Sequence, residues 1–237
     1  MKITYWSDYA CPYCYIGEKR LETAIDELAK ENIINKEDVD IEMRAFELDP
    51  IASYEVVSKT DERFAVKYGL TLNAARERIE GISLLGRREG IDFRYADTQY
   101  TNMLDAHRLT KLVASKGNKE NTNKVIHLLF DAYFTKNLKL ADRSVLSDIA
   151  HQVGIEEDEL NKTLDSDDFI DDVRFDENEA YKLGVHGVPY FVIDDKYVIG
   201  GCQTKEGIKQ TILNALDESN GSSEQGMTCG PNGCRGK

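Results

Sequence analysis

Ser7-Asp8-Tyr9-Ala10-Cys11-Pro12-Tyr13-Cys14 joins a short strand-like run to a helical pattern. Before it, Lys2 to Ser7 is rich in Ile, Thr, Tyr and Trp, residues that fit a pleated, half-buried surface. After it, Leu21, Ala24, Ile25 and Leu28 fall at i, i+3, i+4 and i+7 while Glu18, Lys19, Glu22 and Glu27 face away, which predicts one amphipathic helix from Pro12 to about Lys30. Pro12 suits the first helical position because its missing N–H is not needed there. Cys11 and Cys14 are thus set at a helix N-terminus, where unpaired N–H groups and the helix dipole favour an anion. Their spacing puts both sulfurs at one helix end, within bridging reach. The thiolate is the attacking species in disulfide exchange, and CxxC pairs in this setting have thiol pKa values lowered into a range of roughly 3.5–7.5. By position, Cys11 is expected to be accessible and to attack, and Cys14 to be buried and to resolve. The competing readings are two chance cysteines or half of a zinc site, and a His pair at ligand spacing is missing from the sequence.

Working outward, Val39, Ile41, Met43 and Ala45 alternate with Asp40, Glu42 and Arg44, the period of a strand with one buried face. Residues 1–50 therefore read β-α-β. From 51 to 183 the pattern is helical, with segments near 61–68, 71–88, 101–116, 122–136, 156–164 and 167–183 and a clean stripe at Val145, Leu146, Ile149, Ala150 and Val153 that Gly154 stops. Residues 184–218 read β-β-α: Tyr190 to Ile193 and Lys196 to Ile199 meet at Asp194 and Asp195, a hairpin signal, and a last helix spans about Thr204 to Asp217. The two outer parts imply a single sheet that a helical insertion interrupts in sequence but not in space. Residues 219–237 are Gly- and Ser-rich and read as a flexible tail that nonetheless holds Cys229 and Cys234.

The chain has 237 residues and a net charge of −13, with 41% hydrophobic and 31% charged residues. That mixture folds into one large or two small domains. The negative balance argues against a nucleic-acid backbone or an anionic membrane surface as partner. No run approaches the ~20 apolar residues of a membrane span, and Met1 to Trp6 carries no apolar export segment, so a cytoplasmic protein is expected. Five cysteines are too few for a disulfide scaffold. Close pairs in a reducing compartment are more often catalytic or metal-binding.

Together these residues resemble the thioredoxin superfamily, and the layout resembles its DsbA-like branch, most closely the FrnE-type oxidoreductases. The resemblance runs from Ser7–Cys14, through Asn102 and Asp105-Ala106-His107-Arg108, to Gly187-Val188-Pro189-Tyr190-Phe191-Val192-Ile193 and Gly200-Gly201. It extends to Cys229-Gly230-Pro231-Asn232-Gly233-Cys234, similar to an extra C-x4-C pair in some FrnE-type proteins. The resemblance implies an α/β fold, a thioredoxin fold interrupted by a large all-helical insertion. It implies a protein disulfide oxidoreductase or isomerase without a bound cofactor or metal, acting on protein or peptide thiols and disulfides. Glutathione or a thioredoxin-type reductant would serve as redox partner. It further implies that Pro189 is cis and faces the CxxC, leaving the backbone of Val188 to pair with an extended substrate segment beside Cys11, with Tyr13 a further substrate-binding candidate. His107 and Asn102 match the branch pattern and are candidates to line the cleft, with a polar helix-surface role or an N-terminal helix bond as alternatives.

The Pro-Tyr dipeptide departs from the histidine-containing sites of strongly oxidising DsbA proteins. Cys202 stands where a small residue is expected, either as an apolar filler or as a third thiol near the site. Asp8 is expected to point to solvent, and His127, His151 and His186 to be structural or on the surface. The acidic stretch from Glu156 to Glu179 reads as the solvated face of two helices, since it lacks the pattern and central Gly of a calcium loop. Cys229 and Cys234 are candidates for a secondary redox pair. Rival functions are a glutathione-dependent isomerase or transferase, in which a Ser typically replaces the attacking Cys, a chaperone-like holdase, and a metal binder using Cys202, Cys229 and Cys234.

Overall fold

The computed structural model describes residues 1–221 and the backbone of 229–230 and 233–234, with side chains described up to residue 218. β1 (Lys2–Ser7), α1 (Pro12–Lys30) and β2 (Asp40–Ala45) come first. Seven helices follow: α2 (Thr60–Tyr68), α3 (Leu72–Arg88), α4 (Leu104–Ser115), α5 (Lys119–Phe134), α6 (Arg143–Gln152), α7 (Glu157–Leu164) and α8 (Ile170–Lys182). The chain then returns with β3 (Tyr190–Ile193), β4 (Tyr197–Gly200) and α9 (Lys205–Gly221). The strands form one sheet in the order β2-β1-β3-β4, with β1 parallel to β2 and antiparallel to β3, which pairs antiparallel with β4.

The hairpin turns on Asp194 (φ 49°) and Asp195 (φ 56°), with Lys196 N–H bonded to Ile193 O at 3.1 Å. Positive φ at both central residues is a type I′ turn, whose twist matches that of the strands. Asp194 also ties β3 to β1, because its N–H donates to Lys2 O (2.8 Å) and its carboxylate accepts from Lys2 N–H (2.6 Å).

Alternation along β1 sends Ile3 and Tyr5 to one face of the sheet and Trp6 to the other. Ile3 and Tyr5 pack with Leu21, Ile25 and Leu28 of α1 and Ile208 and Ile212 of α9. Trp6 packs with Ala180 of α8, donates its indole N–H to Asp176 O (2.8 Å), and Ala45 N–H donates to the Asp176 carboxylate (2.8 Å). The insertion is thereby fastened to the sheet by one buried acid, which Lys111 also pairs. A second core fills the helical region, where Tyr15 stacks on Phe130 at 4.9 Å and Phe93 on Phe134 at 4.7 Å.

Three local expectations shift. β2 is an edge strand, half-buried on both faces because Arg44 lies over Trp6 and Glu42 pairs with Lys2. α4 starts at Leu104 rather than 101, because Asn102 Oδ1 accepts from Leu104 N–H (2.8 Å) and holds the preceding residues out of the helix. α5 starts at Lys119 rather than 122, capped by Asn118, whose side chain accepts from Asn121 N–H (3.0 Å). In the tail, Cys229–Gly230 pairs antiparallel with Gly233–Cys234, placing Cys229 opposite Cys234 in register. Residues 219–221 continue α9, and the rest of the tail, with the side chains on which the flexible-tail and secondary-redox expectations depend, lies outside the described residues.

α1 carries an unusual buried acid. Glu18, expected on the outward face of α1, is instead 6% exposed, accepts from Tyr5 O–H at 2.9 Å and leaves its other oxygen without a partner among the described residues. Burial pushes its carboxyl up to about 7. The folded state therefore holds a proton that the unfolded chain has released above its ordinary pKa of about 4.5, so stability falls as pH rises between the two values. His127, raised by its hydrogen bond to Glu22, acts in the same direction, since its contribution is lost as pH rises through its folded pKa. A shift of that size is worth about 3 kcal/mol. Chemical denaturation of the parent should show less stability at pH 8 than at pH 5, and Glu18→Gln should remove most of that slope. An unchanged slope in the variant would assign it to other groups.

Candidate active site at the start of the first helix

The turn between β1 and α1 is built by Asp8. Its carboxylate accepts from Ala10 N–H (2.9 Å) and, across the chain, from Leu48 N–H (2.7 Å), while its carbonyl accepts from Cys11 N–H (3.0 Å). Asp8 is 1% exposed, so the expectation that it points to solvent is wrong; its acceptors satisfy the N–H groups of the buried Ala10 and Cys11 and of Leu48, which no strand or helix reaches. Cys11 is the N-cap of α1, with extended backbone (φ −88°, ψ 111°) and Pro12 at the first helical position. Tyr9, directly behind, packs on Phe130 and shares a 2.6 Å hydrogen bond with Thr110.

The two thiols lie close enough to act on one another, with Cys14 N–H donating to Cys11 O at 3.1 Å, and they differ in setting. Cys14 is 1% exposed, and burial, reinforced by Cys11, pushes its thiol well above its ordinary value, offset only in part by the nearby Asp8 backbone and Ser7 side chain. Cys11 is itself 4% exposed rather than openly accessible, because it packs among the helical-region side chains. It nevertheless lines a cavity of about 760 Å³ from whose lining Cys14 is absent, so the difference between the thiols is one of access to that cavity.

Pro189 follows a cis peptide bond from Val188. Cys11 Sγ donates to Val188 O at 3.5 Å, and Val188, Gly187 and Tyr13 line the same cavity. α1 can approach this loop so closely because residue 17 is glycine: a Cβ there would stand 3.1 Å from Pro189 Cγ and 3.4 Å from the Phe191 ring. Cys11, Cys14, Tyr13, Val188 and Pro189 are thus brought together from opposite ends of the sequence.

His107 and Asn102 do not line the cavity. His107 is 1% exposed, lies against Tyr9 with Nε2 3.9 Å from Asp8, and sits beneath the turn. Asn102 caps α4 and donates to Pro50 O and Ala52 O (3.3 Å each), so the helix-end alternative describes it. Arg108 bonds the carbonyls of Thr163, Ser166 and Asp168, holding α4 to the α7–α8 connection. Cys202 is half-buried against the helical core and accepts from Arg20 at 3.5 Å, outside the cavity lining. His151 and His186 are exposed.

The sequence reading missed the cavity's far wall, formed by Arg63, Phe64 and Lys67 of α2, Arg78 and Ile82 of α3, and Tyr95 and Tyr100. The only local signal was the i, i+4 spacing of Arg63 and Lys67. A second cavity, of about 770 Å³ beside Thr60 and Arg76, has no cysteine in its lining.

Asp8→Ala should leave the N–H groups of Ala10 and Leu48 without their acceptor and cost about 2–6 kcal/mol, at about 1–3 kcal/mol for each unsatisfied group. Urea unfolding checks it: the midpoint should fall at constant m-value. A loss below about 0.5 kcal/mol, the range of ordinary surface substitutions, would mean that Asp8 does not brace the turn.

Residues 2–212 match the DSBA-like thioredoxin domain family. The crystal structure of a probable DsbA oxidoreductase from Streptomyces coelicolor is 28% identical, covers 100% of this chain and 99% of its own, and superposes with a TM-score of 0.83. The YwbO protein of Bacillus subtilis strain 168 is 24% identical over 215 residues, 89% of this chain and 94% of that protein. A 2-hydroxychromene-2-carboxylate isomerase shares the fold at 14% identity and a TM-score of 0.67, covering 94% of this chain and 98% of its own. One fold therefore carries different chemistries, and the residues at the site must decide between them. With the match running from β1 into the last helix and a paired Cys11–Cys14 at the head of α1, this chain belongs to the DSBA-like thioredoxin domain family of thiol–disulfide oxidoreductases.

Proposed function

We propose that this protein is a dithiol–disulfide oxidoreductase in which Cys11 attacks and Cys14 resolves. The observation that carries the reading is the asymmetry of the pair: Cys11 faces the cavity beside Val188, and Cys14 is buried behind it with its thiol held protonated. Attack by the Cys11 thiolate on a disulfide R–S–S–R′ forms a Cys11–S–S–R bond and releases R′S⁻, which takes a proton from water. Cys14 then attacks Cys11 Sγ, its proton passes to the departing RS⁻, and the Cys11–Cys14 disulfide closes. Two electrons move from the protein to the substrate, and a thiol reductant such as glutathione or a thioredoxin-type protein restores the pair.

Pairing an attacking thiol with a buried, protonated partner has a kinetic logic. A thiol whose pKa lies far above ambient pH is a poor nucleophile toward free disulfides, so Cys14 stays silent until a mixed disulfide brings a sulfur into contact with it. The apolar walls around Tyr13, Phe64 and Ile82 offer a docking surface for the chain or molecule attached to that sulfur.

Insulin reduction should fall by at least about 100-fold in Cys11→Ser and in Cys14→Ser, the range of loss when one member of a catalytic group is removed. The two variants should fail differently. Cys14→Ser should accumulate mixed disulfides on Cys11, read by intact-mass spectrometry, whereas Cys11→Ser should accumulate none. Adducts on Cys14 of the Cys11→Ser protein would reverse the roles. Full activity in Cys14→Ser would favour monothiol chemistry of the glutathione-dependent kind.

A further inference from the structure

The cavity that Cys11 faces carries Arg63, Lys67 and Arg78, and no Asp or Glu is among its lining residues. That is unexpected in a chain of net charge −13. Several guanidinium groups elsewhere are committed to carboxylates, as in Arg20–Glu89, Arg76–Asp61, Arg143–Asp165 and Arg174–Glu47. Arg63 is held differently. Its guanidinium lies 3.7 Å over the Tyr100 ring, and its buried Nε has no hydrogen-bond partner among the described residues. Arg78 lines the same cavity as Tyr13, close enough for its charge to act on that phenol. Asp49 and Glu62 line an adjoining groove with Arg63 and Lys67, but neither forms an ion pair with them; Asp49 instead accepts from Tyr100 O–H at 3.2 Å and Glu62 from Lys59 N–H at 3.1 Å.

A guanidinium stacked on an aromatic ring is fixed in place and weakly hydrated, with N–H donors in the geometry of a carboxylate. Ordering costs little when the anion arrives, because the cation is already positioned. A cavity of about 760 Å³ lies within the size range of small-molecule pockets. We propose that Arg63, Lys67 and Arg78 form an anion subsite, so that the preferred substrates are disulfides bearing a carboxylate within a few bonds of the sulfur that Cys11 attacks. The inference rests on Cys11 as the attacking thiol. Cys11 bonds one sulfur of the anionic disulfide, the other leaves as a thiolate and is protonated by water, and Cys14 releases the second as the Cys11–Cys14 bond closes. Two electrons are transferred to the substrate.

The test uses the reduced full chain and three disulfides that differ mainly in charge: 3,3′-dithiodipropionate, 2-hydroxyethyl disulfide and cystamine. Stopped-flow rates are divided by those of dithiothreitol on the same compounds, which removes their intrinsic reactivity. At low salt the normalised rate should be about tenfold higher for the dianion than for the neutral compound, and lower still for the dication. The preference should shrink toward unity at about 0.5 M salt, where the screening length falls below 5 Å, and in the Lys67→Gln/Arg78→Gln protein. The ratio is internal to each sample, so partial misfolding of the variant does not mimic the result, and the salt series needs no variant. Equal normalised rates, or a preference for cystamine, would overturn the anion subsite while leaving thiol exchange intact. No reaction with any of the three would instead overturn the exchange reading. A second arm compares glutathione disulfide with the disulfide of a short peptide whose cysteine is flanked by Asp and Glu. The faster of the two identifies the source as a small thiol or an acidic protein segment, and rates for both below that of 2-hydroxyethyl disulfide would again overturn the proposal.

Discussion

The structure depends on α1 belonging to two hydrophobic cores at once. Its first turns, with Cys11, Cys14 and Ile16, are packed among the helices of the insertion, and its later turns, with Leu21, Ile25 and Leu28, are packed on the sheet. A rigid helix so shared cannot shift in one core without disturbing the other, because both are close-packed. Cys11 and Cys14 sit at the end driven into the insertion. That location explains why even Cys11 is nearly covered and why access to it comes through a defined cavity rather than open solvent.

Burial of this kind strands polar groups, and the chain meets the problem with a few acids placed deep in the fold. Asp8 satisfies N–H groups from its own turn and from the chain after β2. Asp176 does the same for Ala45 while its carbonyl takes the indole of Trp6. Both link the sheet or its flanking turn to a segment distant in sequence, so each carries positional information beyond its hydrogen bonds. Glu18 is the exception, with one oxygen unpaired and a proton retained to about pH 7. Its burial makes the stability of the fold sensitive to pH in the physiological range.

The cavity has two walls of different origin. The near wall, Cys11, Tyr13 and Val188, comes from the interrupted sheet domain, and the far wall, from Arg63 to Tyr100, comes from the insertion. Chemistry and recognition are thereby carried on separate parts of the chain, which lets the insertion vary substrate preference without altering the CxxC turn. The apolar and aromatic lining supplies contact area, and the cations on α2 and α3 supply charge selection.

The strand–CxxC–helix unit, the interrupted sheet and the hairpin are legible in the chain, because each is written in short-range periodicity: i, i+3, i+4 along α1, an Asp-Asp turn between β3 and β4, and Pro12 at a helix start. Helix beginnings at α4 and α5 were misplaced because Asn102 and Asn118 act through single cap hydrogen bonds, which hydrophobic period does not register. Only the tertiary structure decided the fates of isolated polar residues. Asp8 was read as solvent-facing and is buried. His107 and Asn102 were candidates for the cleft and lie behind or beside it. Arg63, Lys67 and Arg78 carry no signal in the sequence beyond the i, i+4 spacing of the first two, and they line the cavity that Cys11 faces. The physical reason is common to all of them: a charged or polar side chain has no local preference strong enough to fix its surroundings. Its role depends on which distant segment packs against it, and that is set by how the two cores share α1.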